Sequence, residues 1–140
     1  MKRVEKEAIF ENWDFHHIGY ATRHIEESLK HFLALGYKAE AELFEDHAQG
    51  IKGLFIIGGG PRVELLENLP DRTTLDPWLA SGISMYHLAY EVLDISLATL
   101  SLKKKGAKVI VPPIESVAFN GRRISFIMMR NAMLVEIIEK

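Results

Sequence analysis

An α+β fold assembled from two βαβββ modules is what this sequence predicts, and three observations predict it. His17-Ile18-Gly19-Tyr20 returns as His87-Leu88-Ala89-Tyr90, a shift of 87 − 17 = 70 positions. Val63-Glu64-Leu65-Leu66-Glu67 returns as Val135-Glu136-Ile137-Ile138-Glu139, a shift of 136 − 64 = 72. Between these anchors Ile25 answers Ile95 and Gly36 answers Gly106, in the same order in both halves. Two strands with similar alternation resemble each other by chance, but several matches in one order at nearly one offset point to duplication. The 140 residues then read as one domain, with modules 15–67 and 85–139 joined by 68–84.

Each element follows from local pattern. Phe15 to Thr22 alternates and is rich in strand formers, and Ile25, Leu29, Phe32 and Leu33 then recur at helical spacing until Gly36 stops the helix. Tyr37 to Glu45, Ile51 to Ile57 and Arg62 to Glu67 are strand-like runs. Gly58-Gly59-Gly60-Pro61 separates the last two. A phosphate loop would lead into a helix, and a strand follows here, so a hairpin turn is expected. In the second half Met85 to Val92 is a strand, and Asp94 is placed to cap a helix carrying Ile95, Ala98 and Leu102 on one face. Lys103, Lys104 and Lys105 suit the negative end of that helix before Gly106 ends it. Lys108 to Val111, Ile124 to Met129 and Met133 to Ile138 supply three further strands, and Asn68 to Ser84, with Pro70, Pro77 and Gly82, is the connection.

Composition removes several function classes. A hydrophobic fraction of 48% fills a core and excludes a disordered or fibrous chain. A net charge of −2 offers nothing to nucleic acid or an anionic membrane. With no cysteine there is neither a disulfide nor a thiolate, so any metal is held by nitrogen and oxygen. The opening MKRVEKEAIFENW carries charges where a signal peptide needs its apolar core, and no apolar run reaches the roughly 18 residues that span a bilayer. A bacterial-type cytoplasm is the expected location.

The polar residues inside the strands carry the chemistry. Strand side chains alternate, so His17, Gly19 and Ala21 share one face, and His87 and Ala89 share the corresponding one. If the bulky neighbours pack under the helices, both histidines face whatever the curved sheet encloses. Glu64, between Val63 and Leu65, and Glu136, between Val135 and Ile137, then face the same side. An unpaired carboxylate there costs several kcal/mol, and a metal removes that cost. A lone strand histidine is ordinarily a hydrogen-bonded core residue and a lone glutamate a solvated one, but four such residues at equivalent places in two repeats indicate a site. His17, Glu64, His87 and Glu136 suit a six-coordinate Ni, Co, Mn, Fe or Zn ion, with positions left for water or substrate.

The stretches FHHIGYATRHIEESLKHFLALGY, RVELLEN, YHLAYEVLDI and RRISFIMMRNAMLVEIIE resemble the vicinal oxygen chelate superfamily over most of the chain, from Phe15 to Glu139. That resemblance implies an open eight-stranded mixed barrel around a central metal, with His17, Glu64, His87 and Glu136 on the four ligand positions. Within the superfamily the chain is most similar to glyoxalase I and methylmalonyl-CoA epimerase. Gln49-Gly50-Ile51 looks epimerase-like, but Gly53 stands where some epimerases carry a second catalytic carboxylate, and Met129-Arg130-Asn131-Ala132 lacks their Lys-Ser-Thr-Gly-Gly-type turn. A fourth ligand, Glu64, argues against the ring-cleaving dioxygenases, and the full metal set argues against antibiotic-binding members.

The implied chemistry is proton transfer next to a carbonyl, with Glu136 as principal base, Glu64 as its partner, and a thiohemiacetal or acyl-CoA as substrate. Arg122 and Arg123 follow Gly121 just before a strand, where they either clamp a substrate carboxylate or phosphate or remain exposed loop cations. His16, His24, His31 and His47 read as surface or packing residues, Met128, Met129 and Met133 as core or cavity wall, and Trp78 either as a cover for the site or as packing. Two other readings stand beside this one. A binding protein would sequester a small molecule, such as an antibiotic, without turnover, and an isomerase or lyase of a specialised biosynthetic pathway would act on another metabolite. The modules close a barrel within one chain or pair across a homodimer.

Overall fold

The computed structural model describes residues 12–140. Residues 1–11, which hold most of the charged N-terminal run behind the expectation about export, lie outside them. The elements are β1 (Asp14–Ala21), α1 (Ile25–Ala34), β2 (Lys38–Ala39), β3 (Phe44–Asp46), β4 (Ile51–Ile57), β5 (Val63–Asn68), α2 (Asp76–Ser81), β6 (Met85–Val92), α3 (Ile95–Lys104), β7 (Lys108–Glu115), β8 (Arg123–Met128) and β9 (Leu134–Glu139). A 3₁₀ turn, Val117–Phe119, links β7 to β8.

The strands form one mixed sheet in the order β2-β4-β5-β1-β6-β9-β8-β7, with β3 also on β4. Among the described residues it has nine strands, where the sequence predicts eight, and its path is open: β2 and β7 end it. The extra strand comes from a break in the expected run Tyr37 to Glu45. Lys38–Ala39 pairs Ile57 and Ile56, and Phe44–Asp46 pairs Gly53 to Ile51, both along β4. The stretch between, Glu40-Ala41-Glu42-Leu43, is poor in strand formers, so the ladder lapses there and resumes at Phe44. At the other edge β7 runs on through Pro112 and Pro113 to Glu115, with irregular register on either side of Val111. Prolines cannot donate to a ladder, and an edge strand with bulges tolerates them.

The two halves meet antiparallel at β1 and β6, and each central strand has a parallel neighbour from its own half, β5 beside β1 and β9 beside β6. α1 and α3 cover one face of the sheet. Ile25 and Phe32 of α1 pack with Tyr37, Leu54, Ile56, Val63 and Leu65. Ile95, Ala98 and Leu102 of α3 pack with Val92, Ile127, Val135 and Ile137. Fully burying one such side chain contributes about 1.5–3 kcal/mol, so these clusters fix which face of β5 and β9 is turned to the helices.

The helix ends follow the sequence with one variation. Asp94 accepts from the Leu97 N–H at 2.9 Å, as a capping residue does. His24 makes no such bond at the start of α1, and Glu67 on β5 accepts from the Ile25 N–H at 2.8 Å in its place. The connection contains α2, with Pro77 in its first turn and Gly82 ending it at φ 71°. Among the described residues no helix is long and apolar enough to cross a membrane.

Candidate metal centre

Val63 and Leu65 point at α1, so Glu64 points the other way, and Val135 and Ile137 direct Glu136 in the same manner away from α3. Gly19 pairs Glu64 across β1 and β5, and Ala89 pairs Glu136 across β6 and β9. Since 89 − 19 = 70 and 136 − 64 = 72, these are the shifts seen in the sequence. Across the central pair His17 opposes Ala89 and Gly19 opposes His87. Each histidine therefore sits opposite a small residue of the other half. A Cβ on Gly19 would lie 2.0 Å from the His87 ring, so glycine there is what allows the ring its place.

These registers converge the four side chains. His17 Nε2 lies 3.1 Å from Glu64 Oε1, 3.2 Å from Glu136 Oε1 and 3.1 Å from His87 Nε2. His87 Nε2 lies 3.4 Å from Glu136 Oε1 and 3.9 Å from Glu64 Oε1. One ligand atom from each residue falls within 4.8 Å of all the others, and none of the four residues is more than 4% exposed. Burial opposes a charge on His17, but the two carboxylates outweigh it and hold its pKa up at about 9. Burial also favours the neutral form of Glu136, and the His17 and His87 rings beside it override that to bring the carboxyl down to about 2.

The cluster fits a divalent cation. Two imidazole nitrogens facing each other at 3.1 Å share at most one hydrogen, and Glu136 Oε1, although close to both, has no directed hydrogen bond. Metal bonds of about 2.0–2.2 Å set neighbouring ligand atoms about 3 Å apart, the spacing found here. Two nitrogens and two carboxylate oxygens are the donor set of a borderline ion; they do not choose among Ni, Co, Mn, Fe and Zn.

A cavity of about 230 Å³ opens beside the cluster. Phe44, Ile51, Leu66, Trp78, Phe119 and Phe126 supply much of its apolar wall, and Glu64 and Glu136 border it while His17 and His87 do not. Trp78 thus stands in the cavity wall, beside Tyr86 with ring centroids 4.7 Å apart and planes tilted by 44°. Arg122 and Arg123 are not among the bordering residues. Arg122 pairs with Glu91 at 2.8 Å and Arg123 with Glu139 at 2.7 Å. Met128 and Met129 pack against the core, whereas Met133 is exposed. His24, His31 and His47 are exposed, but His16 is not a bystander: its Nδ1 is 2.7 Å from that of His17. Burial, with the charge of His17 beside it, lowers His16 to about 4.

Four polar residues at the cavity escape the sequence reading, among them Thr74, whose hydroxyl donates to the Gln49 carbonyl at 2.6 Å. Asp46 is buried at the end of β3, accepting from the backbone and side-chain N–H groups of Gln49 at 3.0 and 2.9 Å. Phe44 covers Gly53 so closely that a Cβ there would meet its ring at 2.4 Å, and Asp46 borders the cavity together with Glu64 and Glu136. Tyr86 lines the cavity with its hydroxyl pKa well above the usual value, through burial and the charges of Glu64 and Glu136. Ser116 is buried, and its hydroxyl has no hydrogen-bond partner among the described residues. Only the adjacency of Tyr86 to His87 was available as a signal; Asp46 stands on the three-residue β3 and Ser116 just ahead of the 3₁₀ turn, and no periodicity encodes where those short segments lie.

An open mixed sheet with two helices on one face, and a buried two-histidine, two-glutamate cluster on the other, defines an α+β protein with a metal-type centre at its midline. The chain belongs to the Glyoxalase/Bleomycin resistance protein/Dioxygenase superfamily, whose family profile matches residues 16–126. Among solved structures it is similar to a hypothetical protein from Bacillus halodurans C-125, with 24% identity, a TM-score of 0.79, and 93% of this chain and 96% of that one covered. Methylmalonyl-CoA epimerase from Mycobacterium tuberculosis aligns at 20% identity and TM-score 0.73, covering 89% of this chain and 86% of that one. A variant of the Streptomyces coelicolor methylmalonyl-CoA epimerase in complex with 2-nitronate-propionyl-CoA aligns at 20% identity and TM-score 0.74, covering 90% and 96%. At these identities the likeness is one of fold. No curated protein matches the sequence.

Proposed function

We propose that this chain is a metal-dependent isomerase or lyase that moves a proton at the carbon next to a carbonyl, of the glyoxalase I or methylmalonyl-CoA epimerase type. The observation that carries the reading is the division of labour within the cluster: the two carboxylates border the cavity and the two histidines stand behind them. A ligand in the cavity meets two bases, one from each half of the protein.

A divalent ion held by His17, Glu64, His87 and Glu136 would supply positive charge beside the substrate carbonyl, lowering the cost of negative charge on its oxygen. Glu136, ionised at neutral pH, takes the proton from the adjacent carbon, and the electron pair of that C–H bond delocalises onto the carbonyl oxygen. Return of a proton to the same carbon, from Glu136 or from Glu64 in the other half, inverts or restores its configuration. Return to the neighbouring carbon completes a glyoxalase-type isomerisation. The apolar wall keeps bulk water away from the carbanionic species.

The substrate class is an acyl-CoA or a thiohemiacetal. A cavity of about 230 Å³ takes the small carbonyl-bearing end and leaves a coenzyme A or glutathione portion outside. The solved Streptomyces epimerase holds an acyl-CoA analogue, which supports the first of the two.

The test is hydrogen exchange in D₂O, followed by proton NMR, with methylmalonyl-CoA and with the adduct of methylglyoxal and glutathione. Deuterium entry into one of them, dependent on added Co²⁺, Ni²⁺ or Zn²⁺, is expected. Exchange in neither, with protein shown to carry metal, contradicts the proton-transfer reading for these substrates and favours sequestration or a different metabolite.

A further inference from the structure

The ladder between β1 and β6 skips one residue. Phe15 pairs Tyr90 and His17 pairs Ala89, so two neighbours on β6 face three residues on β1, and His16 is the one without a partner. In an unbroken strand His16 and His17 would point to opposite faces. A bulge cancels that alternation locally and re-aims a side chain, which is how two consecutive histidines come to stand together.

The two rings meet through their Nδ1 atoms at 2.7 Å, with centroids 5.0 Å apart and planes nearly perpendicular. Phe55 and Phe119 touch both rings: they meet His16 edge-on at 5.8 and 5.4 Å, and lie 5.3 and 6.1 Å from His17. Arg62, just ahead of β5, donates to the His16 carbonyl at 3.0 Å and so ties down the bulge itself. The orientation of His16 is thus held by backbone and by packing.

We infer that His16 is a positioning residue for the metal centre, setting the tautomer and ring angle of His17 by accepting a hydrogen bond from its Nδ1–H. This rests on the metal reading above. His17 turns Nε2 toward His87, Glu64 and Glu136, so the lone pair that would bind an ion belongs to Nε2. A neutral imidazole with a free Nε2 carries its hydrogen on Nδ1, and the acceptor in reach of that hydrogen is His16 Nδ1. Ligating histidines characteristically donate their second ring N–H to an outer acceptor, whose loss weakens metal binding by about 10–100-fold. The other histidine contrasts with it, since His87 Nδ1 has no hydrogen-bond partner among the described residues. The duplicated site is therefore asymmetric: His17 is held from behind and His87 is not.

The test uses apoprotein titrated with Co²⁺ and with Zn²⁺, comparing wild type, His16→Leu and His16→Asn. Asn places a side-chain oxygen near the position of Nδ1 and Leu places none. One ion per chain in all three is expected, with affinity about 10–100-fold lower in His16→Leu and largely recovered in His16→Asn. Nitrogen-15 NMR of the histidine rings supplies a second readout, in which His17 of the Zn²⁺-loaded wild type carries its hydrogen on Nδ1. Equal affinity in wild type and His16→Leu, or a His17 protonated at Nε2, overturns the positioning role while leaving the metal site standing. A wild-type chain that binds neither ion overturns both.

Discussion

Gly19 and His87 are cross-strand partners, and the His87 ring fills the space a side chain on Gly19 would occupy, 2.0 Å from an ideal Cβ. No flexible tip stands in the way, because the colliding atoms are those of the planar ring that reaches Glu136. Gly19→Ala is therefore expected to displace the ring, destabilise the protein by about 1–3 kcal/mol, and weaken metal binding. Urea unfolding and metal titration of the purified variant check both effects. An unchanged affinity would mean that the His87 ring does not need its present place.

Glu136→Gln preserves size and one oxygen but removes the base. Proton exchange is expected to fall by about 10²–10⁴-fold, with some metal retained. Exchange kinetics measured beside metal content separate the two effects, and wild-type exchange rates would remove Glu136 from the chemistry.

The apoprotein is expected to be most stable near pH 6.5, because His16, lowered from 6.5 to about 4 on folding, loses its stabilisation as pH falls from 6.5 toward 4. Glu136 is lowered from 4.5 to about 2 on folding, so its stabilisation is complete above the unfolded value and fades as pH falls toward 2. His17 is raised from 6.5 to about 9, so its stabilisation is complete below 6.5 and is lost as pH rises through 9. Denaturant midpoints of metal-free protein across this range test the shape of the curve. Within the same upper window a metal must displace the His17 proton. Calorimetric titrations near pH 7.5 in buffers of different ionisation enthalpy should accordingly show about one proton released per ion.

Trp78 lines the cavity and the chain's other tryptophan, Trp13, does not. Occupation of the cavity by a substrate analogue should change tryptophan emission in wild type, and the change should disappear in Trp78→Phe. A response that persists in the variant would place the ligand elsewhere.

The faces of β5 and β9 were legible because alternation is a strict rule in a regular strand: once Val63, Leu65, Val135 and Ile137 are assigned to the helices, Glu64 and Glu136 have one direction left. The same rule hides His16, because a bulge suspends it. The break between β2 and β3 and the run of β7 through Pro112-Pro113 escape for a related reason, since both depend on which strand lies alongside and local propensity does not report that. Arg122 and Arg123 look like free cations along the chain, and their partners Glu91 and Glu139 lie 31 and 16 residues away.

Metal content decides the central claim most directly. Wild type and His87→Ala, purified side by side and loaded in turn with Ni²⁺, Co²⁺, Mn²⁺, Fe²⁺ and Zn²⁺, should differ: about one ion per chain in the wild type and a large loss in the variant. An unloaded wild type with every ion, or a variant that binds as the wild type does, would contradict a centre built from His17, Glu64, His87 and Glu136.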